Sequence, residues 1–145
     1  MLNTATNTKP WGQHLVLDFN GCPFELLSSE ENIRAWTKEL VEAINMIAYG
    51  EPIIEHFATH SHEAAGFTLL QMIETSAIAA HFAENIGQVY IDIFSCKPYE
   101  NQVAIDICAK YFQPEEIRQT ALIRGRFEEP KQLDETQEVK NVRAA

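Results

Sequence analysis

This chain has no apolar run near the ~18 residues that a membrane-spanning helix needs, and its polar opening, MLNTATNTKP, has no apolar signal core. A cytoplasmic protein without membrane partners is the expectation. Basic residues are scarce, 11 Lys and Arg against 21 Asp and Glu, for a formal charge of −10. That balance argues against a phosphate-reading basic face, so nucleic acid is not an expected partner. The cysteines, Cys22, Cys96 and Cys108, are odd in number and include no C-x-x-C pair, which reads as reduced thiols, not a disulfide framework. Repeats, low-complexity tracts and the G-x-S-x-G elbow of the serine hydrolases are all missing.

What is present suits one globular domain. The 145 residues are 46% hydrophobic and 22% charged, enough for a core without disulfides or metal. Residues 1–10 read as a flexible arm, 11–127 as the domain, and 128–145 as a charged, mobile tail. His14–Phe19 alternates like a strand and meets the turn Asn20-Gly21. Ser28 and Glu31 have capping-box spacing. Behind them Ile33, Trp36, Leu40, Val41, Ile44 and Ile47 form one helical stripe, expected to end near Tyr49-Gly50. Ile53–Phe57, Phe67–Ile73, Ala77–Phe82 and Val89–Phe94 read as strands, Glu100–Phe112 as a second helix ended by Pro114, and Thr120–Phe127 as a last strand. The order β-α-β-β-β-β-α-β implies an α/β (α+β) two-layer sandwich, a mainly antiparallel sheet with both helices on one face. Val89–Phe94 alternates apolar residues with Tyr90 and Asp92, so the other sheet face is expected to hold a site or a contact with a second copy.

The candidate chemistry lies in Gly66–Cys96. Ser76, His81 and Cys96 are side chains that serve as nucleophile, base and acid. Ser76 and His81 are five apart, and an odd offset on an extended strand puts them on opposite faces. A direct pair needs a bend, or each must act on a different atom of a shared centre. A small serine bonding the backbone is the plainer reading of Ser76. Cys96 ends a strand beside Lys97, an exposed and electropositive setting, whereas Cys22 and Cys108 read as structural. His56, His60 and His62 have an H-x3-H-x-H spacing that could hold a metal, but solvated loop histidines are the commoner case and no metal is assigned.

At these residues the chain resembles the prokaryotic S-adenosylmethionine decarboxylases, small pyruvoyl-dependent enzymes. The resemblance runs from about Trp11 to Arg118. It opens at Gly12-Gln13-His14-Leu15 and is strongest in the spacing of Ser76, His81 and Cys96, with the ending Asp92-Ile93-Phe94-Ser95-Cys96. It implies that Ser76 becomes a covalent pyruvoyl group by self-cleavage of the Thr75–Ser76 bond. His81 and Thr68 would assist processing, and Cys96 would donate a proton in turnover. The pyruvoyl ketone condenses with the substrate amine and takes up the electrons left when CO2 departs. The product would feed polyamine (spermidine) synthesis, and the enzyme would be a homo-oligomer, a dimer or larger.

The chain also departs from the family pattern. Thr75-Ser76-Ala77 stands where the family has Glu-Ser-His, and His81-Phe82-Ala83-Glu84 where it has His-Thr-Trp-Pro-Glu. Phe67 and Phe82, with Phe57, are the candidate aromatic walls for the substrate and Glu84 the nearby acid. Three readings follow: a decarboxylase of S-adenosylmethionine; the same chemistry on ornithine or arginine, with Glu84 or Asp92 meeting the distal cation; and a non-cleaving relative acting as a binding or regulatory partner.

Overall fold

Leu15, Leu17 and Phe19 are buried along β1 (Gly12–Asn20), while His14, Val16 and Asp18 between them are only half-buried. This period of two recurs in β5 (Gln88–Ser95), where Val89, Ile91, Ile93 and Ser95 point inward. β4 (Ser76–Ala83) buries Ile78, Ala80 and Phe82 in the same way. The computed structural model describes residues 9–127, together with 134–136 and 140–141 as backbone. The expected arm at 1–10 therefore lies mostly outside the described residues, as does much of the tail.

With β2 (Ile53–Phe57), β3 (Gly66–Ile73) and β6 (Glu116–Arg124), the strands form one sheet in the order β2-β3-β4-β5-β1-β6. Every pairing is antiparallel. The tail adds two short strands the composition did not foretell, β7 (Asp134–Thr136) and β8 (Lys140–Asn141), both paired with β6. β1 sits between β5 and β6, so the first strand is clasped by strands from the far end of the chain.

One face of the sheet is covered by α2 (Glu30–Ala43) and α3 (Asn101–Phe112), preceded by the short α1 (Phe24–Leu27). The expected two-layer α+β sandwich is the observed architecture. Trp36 on α2 is fully buried and meets Phe82 and Phe112 edge-on, at centroid distances of 5.9 and 5.0 Å. Its indole N–H points to the Cys108 sulfur at 3.4 Å, and burial pushes the Cys108 thiol up to about 12. Cys108 and Cys22 are both buried, as a structural role requires.

Several boundaries move. The cap of α2 is Ser29, whose hydroxyl accepts from the Asn32 N–H at 3.1 Å, one residue after the expected Ser28. α2 ends at Ala43, well before Tyr49. Asn45 takes φ +58°, its N–H reaches the Glu42 carbonyl, and the Met46 N–H reaches that of Val41. These two bonds form a Schellman cap with asparagine in the left-handed position. Ala48 then bridges Ile73, so the segment beyond α2 runs beside β3 instead of continuing the helix. β6 begins at Glu116, four residues early, because the Glu115 N–H already bonds the Asn20 carbonyl at the end of β1.

Candidate active site

β3 and β4 form a hairpin with Ile73 paired to Ser76, leaving Glu74 and Thr75 as the turn. Ser76 is held at φ +153°, a region that favours glycine and costs a β-substituted residue on the order of 1–3 kcal/mol. On its other side β4 pairs with β5, with Ser76 opposite Ser95. This register brings the Cys96 N–H onto the Thr75 carbonyl at 3.1 Å. Cys96 itself is exposed, and the Lys97 ammonium beside it is tied to the Asn45 carbonyl at 2.6 Å. Ser76, Thr75 and Cys96 are thus brought together.

His81 is not brought to them. β4 stays extended, so no bend intervenes, and five residues of strand span about 16 Å. Alternation sends His81 to the uncovered face. There its Nδ1 lies 2.8 Å from Thr68 Oγ1 and its Nε2 lies 2.7 Å from the Ala64 carbonyl oxygen. A carbonyl only accepts, so Nε2 carries the proton. In the neutral ring Nδ1 then accepts from the Thr68 hydroxyl. Thr68 and His81 form a second cluster, with the exposed Phe57 ring 6.2 Å from the imidazole. Gly66 allows this end to close, since a Cβ there would sit 1.7 Å from the Phe82 carbonyl oxygen.

Glu84 is held by His56, the cross-strand neighbour of Phe67. Its side chain is 10% exposed and Oε1 pairs with His56 Nε2 at 2.9 Å, while Oε2 is buried with no partner among the described residues. Phe67 lies edge-on to His56 at 4.8 Å and packs against the core, on the face of β3 opposite Thr68. Phe82 lies in the core between Trp36 and Phe112, so of the three expected aromatic walls only Phe57 is on the His81 face. His56, His60 and His62 do not converge on a common point among the described residues. Asp92 is paired with His14 at 2.9 Å. Burial raises the pKa of nearby Asp18, opposed by Arg118 and reinforced by Asp92. A cavity of about 730 Å3 along α2, lined by Arg34, Lys38 and Gln71, contains none of the candidate side chains.

The sequence reading missed Ser95 and Met46. Ser95 is fully buried, 2.7 Å from Thr75 Oγ1, and Met46 Sδ lies 3.3 Å from the same hydroxyl. The signal for Ser95 was present, a polar residue at the buried parity of Val89, Ile91 and Ile93. Nothing local marked Met46.

The segment that carries the strained serine and the threonine–histidine pair lies within a match to known proteins. The family model described as S-adenosylmethionine decarboxylase matches residues 13–125. The chain belongs to the S-adenosylmethionine decarboxylase family. Among its relatives is the S-adenosylmethionine decarboxylase proenzyme of Archaeoglobus fulgidus, 28% identical over 115 residues, which covers 79% of this chain and 97% of that one. The proenzyme of Methanococcus maripaludis is 28% identical over 134 residues, 90% of this chain and 99% of that one. The fold is that of the crystal structure of the adenosylmethionine decarboxylase from Aquifex aeolicus, with TM-score 0.71, 22% identity and coverage of 85% and 98%. The family match spans both clusters, from the Thr75–Ser76 turn to the Thr68–His81 pair.

Proposed function

We propose that this chain is a self-processing, pyruvoyl-dependent decarboxylase of S-adenosylmethionine, serving polyamine synthesis. The observation that carries the reading is the Cys96 N–H on the Thr75 carbonyl, beside a Ser76 held in a strained backbone. Attack by Ser76 Oγ on the Thr75 carbonyl carbon puts negative charge on the oxygen that this N–H already contacts. The C–N bond breaks as the C–O bond forms, and the proton of Oγ passes to nitrogen, leaving an ester. A base then removes the Ser76 α-proton and the Cβ–O bond breaks, releasing the upstream chain as a carboxylate. Water displaces ammonia from the dehydroalanine so formed, leaving the ketone. The strain at Ser76 favours leaving the starting peptide.

His81 suits the base by chemistry, but the 16 Å of strand, about five residues' worth, puts it out of reach of its own Ser76. A second copy packed on the uncovered sheet face removes this difficulty, His81 and Thr68 of one chain meeting Ser76 of the other. In favour of such a dimer are Ile53, Leu70, Met72 and Tyr90, large side chains left 41–53% exposed on that face. The pyruvoyl group supplies an electron sink for the departing CO2. Around it, the exposed Cys96 at the end of β5 would return a proton to carbon. Phe57, on the same face as His81, offers aromatic surface to a nucleoside and its sulfonium.

Intact mass of the purified protein tests the cleavage. Two chains are expected, the downstream one beginning with a blocked residue derived from Ser76. A single full-length chain that persists for days would leave only the non-cleaving reading. CO2 release from S-adenosylmethionine, ornithine, arginine and lysine, assayed in parallel, tests the substrate. The highest kcat/KM is expected with S-adenosylmethionine, and a higher value with any of the others overturns that assignment.

A further inference from the structure

Ser95 is the one polar side chain on the buried face of β5. A hydroxyl in such a place destabilises the fold unless it is hydrogen-bonded, and alanine or valine would fit a strand interior without that risk. The Ser95 hydroxyl is bonded on all sides. Its oxygen accepts from the Lys97 N–H at 3.0 Å, and it lies 2.7 Å from Thr75 Oγ1 and 3.5 Å from Met46 Sδ. The proton count closes. Ser95 and Thr75 bring two hydroxyl protons, one of which goes to the neighbouring hydroxyl and the other to the thioether, whichever residue donates which.

From this arrangement we infer that Ser95 is a positioning residue for self-cleavage, clamping Thr75 by its side chain while Cys96 holds the same residue by its carbonyl. The inference rests on the proposed cleavage of the Thr75–Ser76 bond. Thr75 is β-branched and stiff about χ1, so fixing Oγ1 fixes the orientation of the residue. The peptide carbonyl that Ser76 must attack is then set between the Cys96 N–H and the serine hydroxyl. A turn residue held only by its carbonyl could rotate, and a misplacement of about 1 Å in such a reaction costs on the order of 100-fold in rate. The hydroxyl pair also gives Thr75 a role of its own in this chain, since Thr75 stands where the resemblance leads one to expect an acid.

The test follows cleavage of freshly refolded precursor by gel and mass for wild type, Ser95→Ala, Thr75→Val, Thr75→Ser and the Ser95→Ala/Thr75→Val double variant. Thermal midpoints are recorded alongside. Ser95→Ala and Thr75→Val are each expected to slow cleavage about 10- to 100-fold. The double variant should be no slower than the slower single, because both remove one interaction. Thr75→Ser, which keeps the hydroxyl, should recover most of the rate. Cleavage of Ser95→Ala within about twofold of wild type, or effects that multiply in the double variant, overturns the inference. If Ser95→Ala does not fold, the contrast between Thr75→Val and Thr75→Ser decides, and equal rates for those two overturn it. A wild-type precursor that never cleaves refutes the proposed function itself, a result distinct from all of these.

Discussion

The two ends of β4 hold two half-sites built by different means. At the Ser76 end the decisive contact is main chain to main chain, Cys96 N–H to Thr75 carbonyl, and the strain is in a backbone dihedral. At the His81 end the work is done by side chains, Thr68 on one ring nitrogen, with the Ala64 carbonyl on the other. Under the proposed function the first half would present the bond to be cut and the second the base, and neither would complete the reaction alone. The first half depends on strand register, with the Thr75 and Ser95 hydroxyls bonded beneath it, whereas the second depends on the bonds its imidazole makes.

The sharpest way to break the comparison is complementation. Ser76→Ala and His81→Ala are each expected to remain uncleaved when made alone. Co-expressed, they should yield cleavage of the His81→Ala chain only, since that chain keeps Ser76 and receives His81 from its neighbour. Absence of cleavage in the mixture, or cleavage of His81→Ala by itself, shows that the halves do not meet across two copies. Next in size is Cys96→Ala. It retains the backbone N–H and should still self-cleave, but lose about 10²- to 10⁴-fold in decarboxylation, the contribution of a placed proton donor. Equal losses in cleavage and turnover would mean that the thiol matters for the turn and not for proton delivery.

A smaller effect is expected for Thr68→Val, which removes the hydroxyl on Nδ1 and leaves the Ala64 bond intact. Cleavage should slow about 10-fold, roughly the worth of one hydrogen bond, with the thermal midpoint little changed. No change in the cleavage rate would reduce Thr68 to a spectator. The smallest concerns Asp18, on the same uncovered face as His81. Its folded pKa is raised, chiefly by burial, so protonation favours the fold and stability declines as pH rises through the folded value. Asp18→Asn should therefore raise the midpoint at neutral pH by on the order of a degree or two and bring no gain in acid, below the ordinary carboxylate range. A gain of equal size at both pH values would show that the charge is not its source.

Much of this was legible in the sequence because strand alternation is a local signal. Leu15, Leu17 and Phe19 mark the buried side of β1 without reference to anything distant. The same rule separated Ser76 from His81, and it would have placed Phe82 correctly, since adjacent strand residues cannot share a face with His81. The end of α2 was harder. Asn45 in a left-handed cap looks like any helical asparagine, and the apolar stripe runs on through Ile47, which is 68% exposed. The neighbouring serines, Ser28 and Ser29, both satisfy a capping pattern, and only the Asn32 N–H chooses between them. The bond from the Cys96 N–H to the Thr75 carbonyl could not be read at all, because β4–β5 register is set by the whole ladder and a backbone N–H has no letter of its own. Among the three readings of function, the family match favours S-adenosylmethionine over the basic amino acids and over a non-enzymatic relative.

The position of β1 has a consequence for what a cut at Thr75 does to the molecule. β1, β2, β3 and α2 precede the cut, whereas β4, β5, β6 and α3 follow it, yet β1 lies between β5 and β6 and α2 packs on α3. The two pieces are therefore laced together and stay together while the fold lasts. Their kinship is lost only on denaturation. A precursor refolds as one molecule at any dilution, but the cut pair must first find each other. Its recovery becomes second order in concentration and competes with aggregation of an upstream piece that has lost its partners. Self-cleavage would thus convert a protein that can be remade into one that can only be kept.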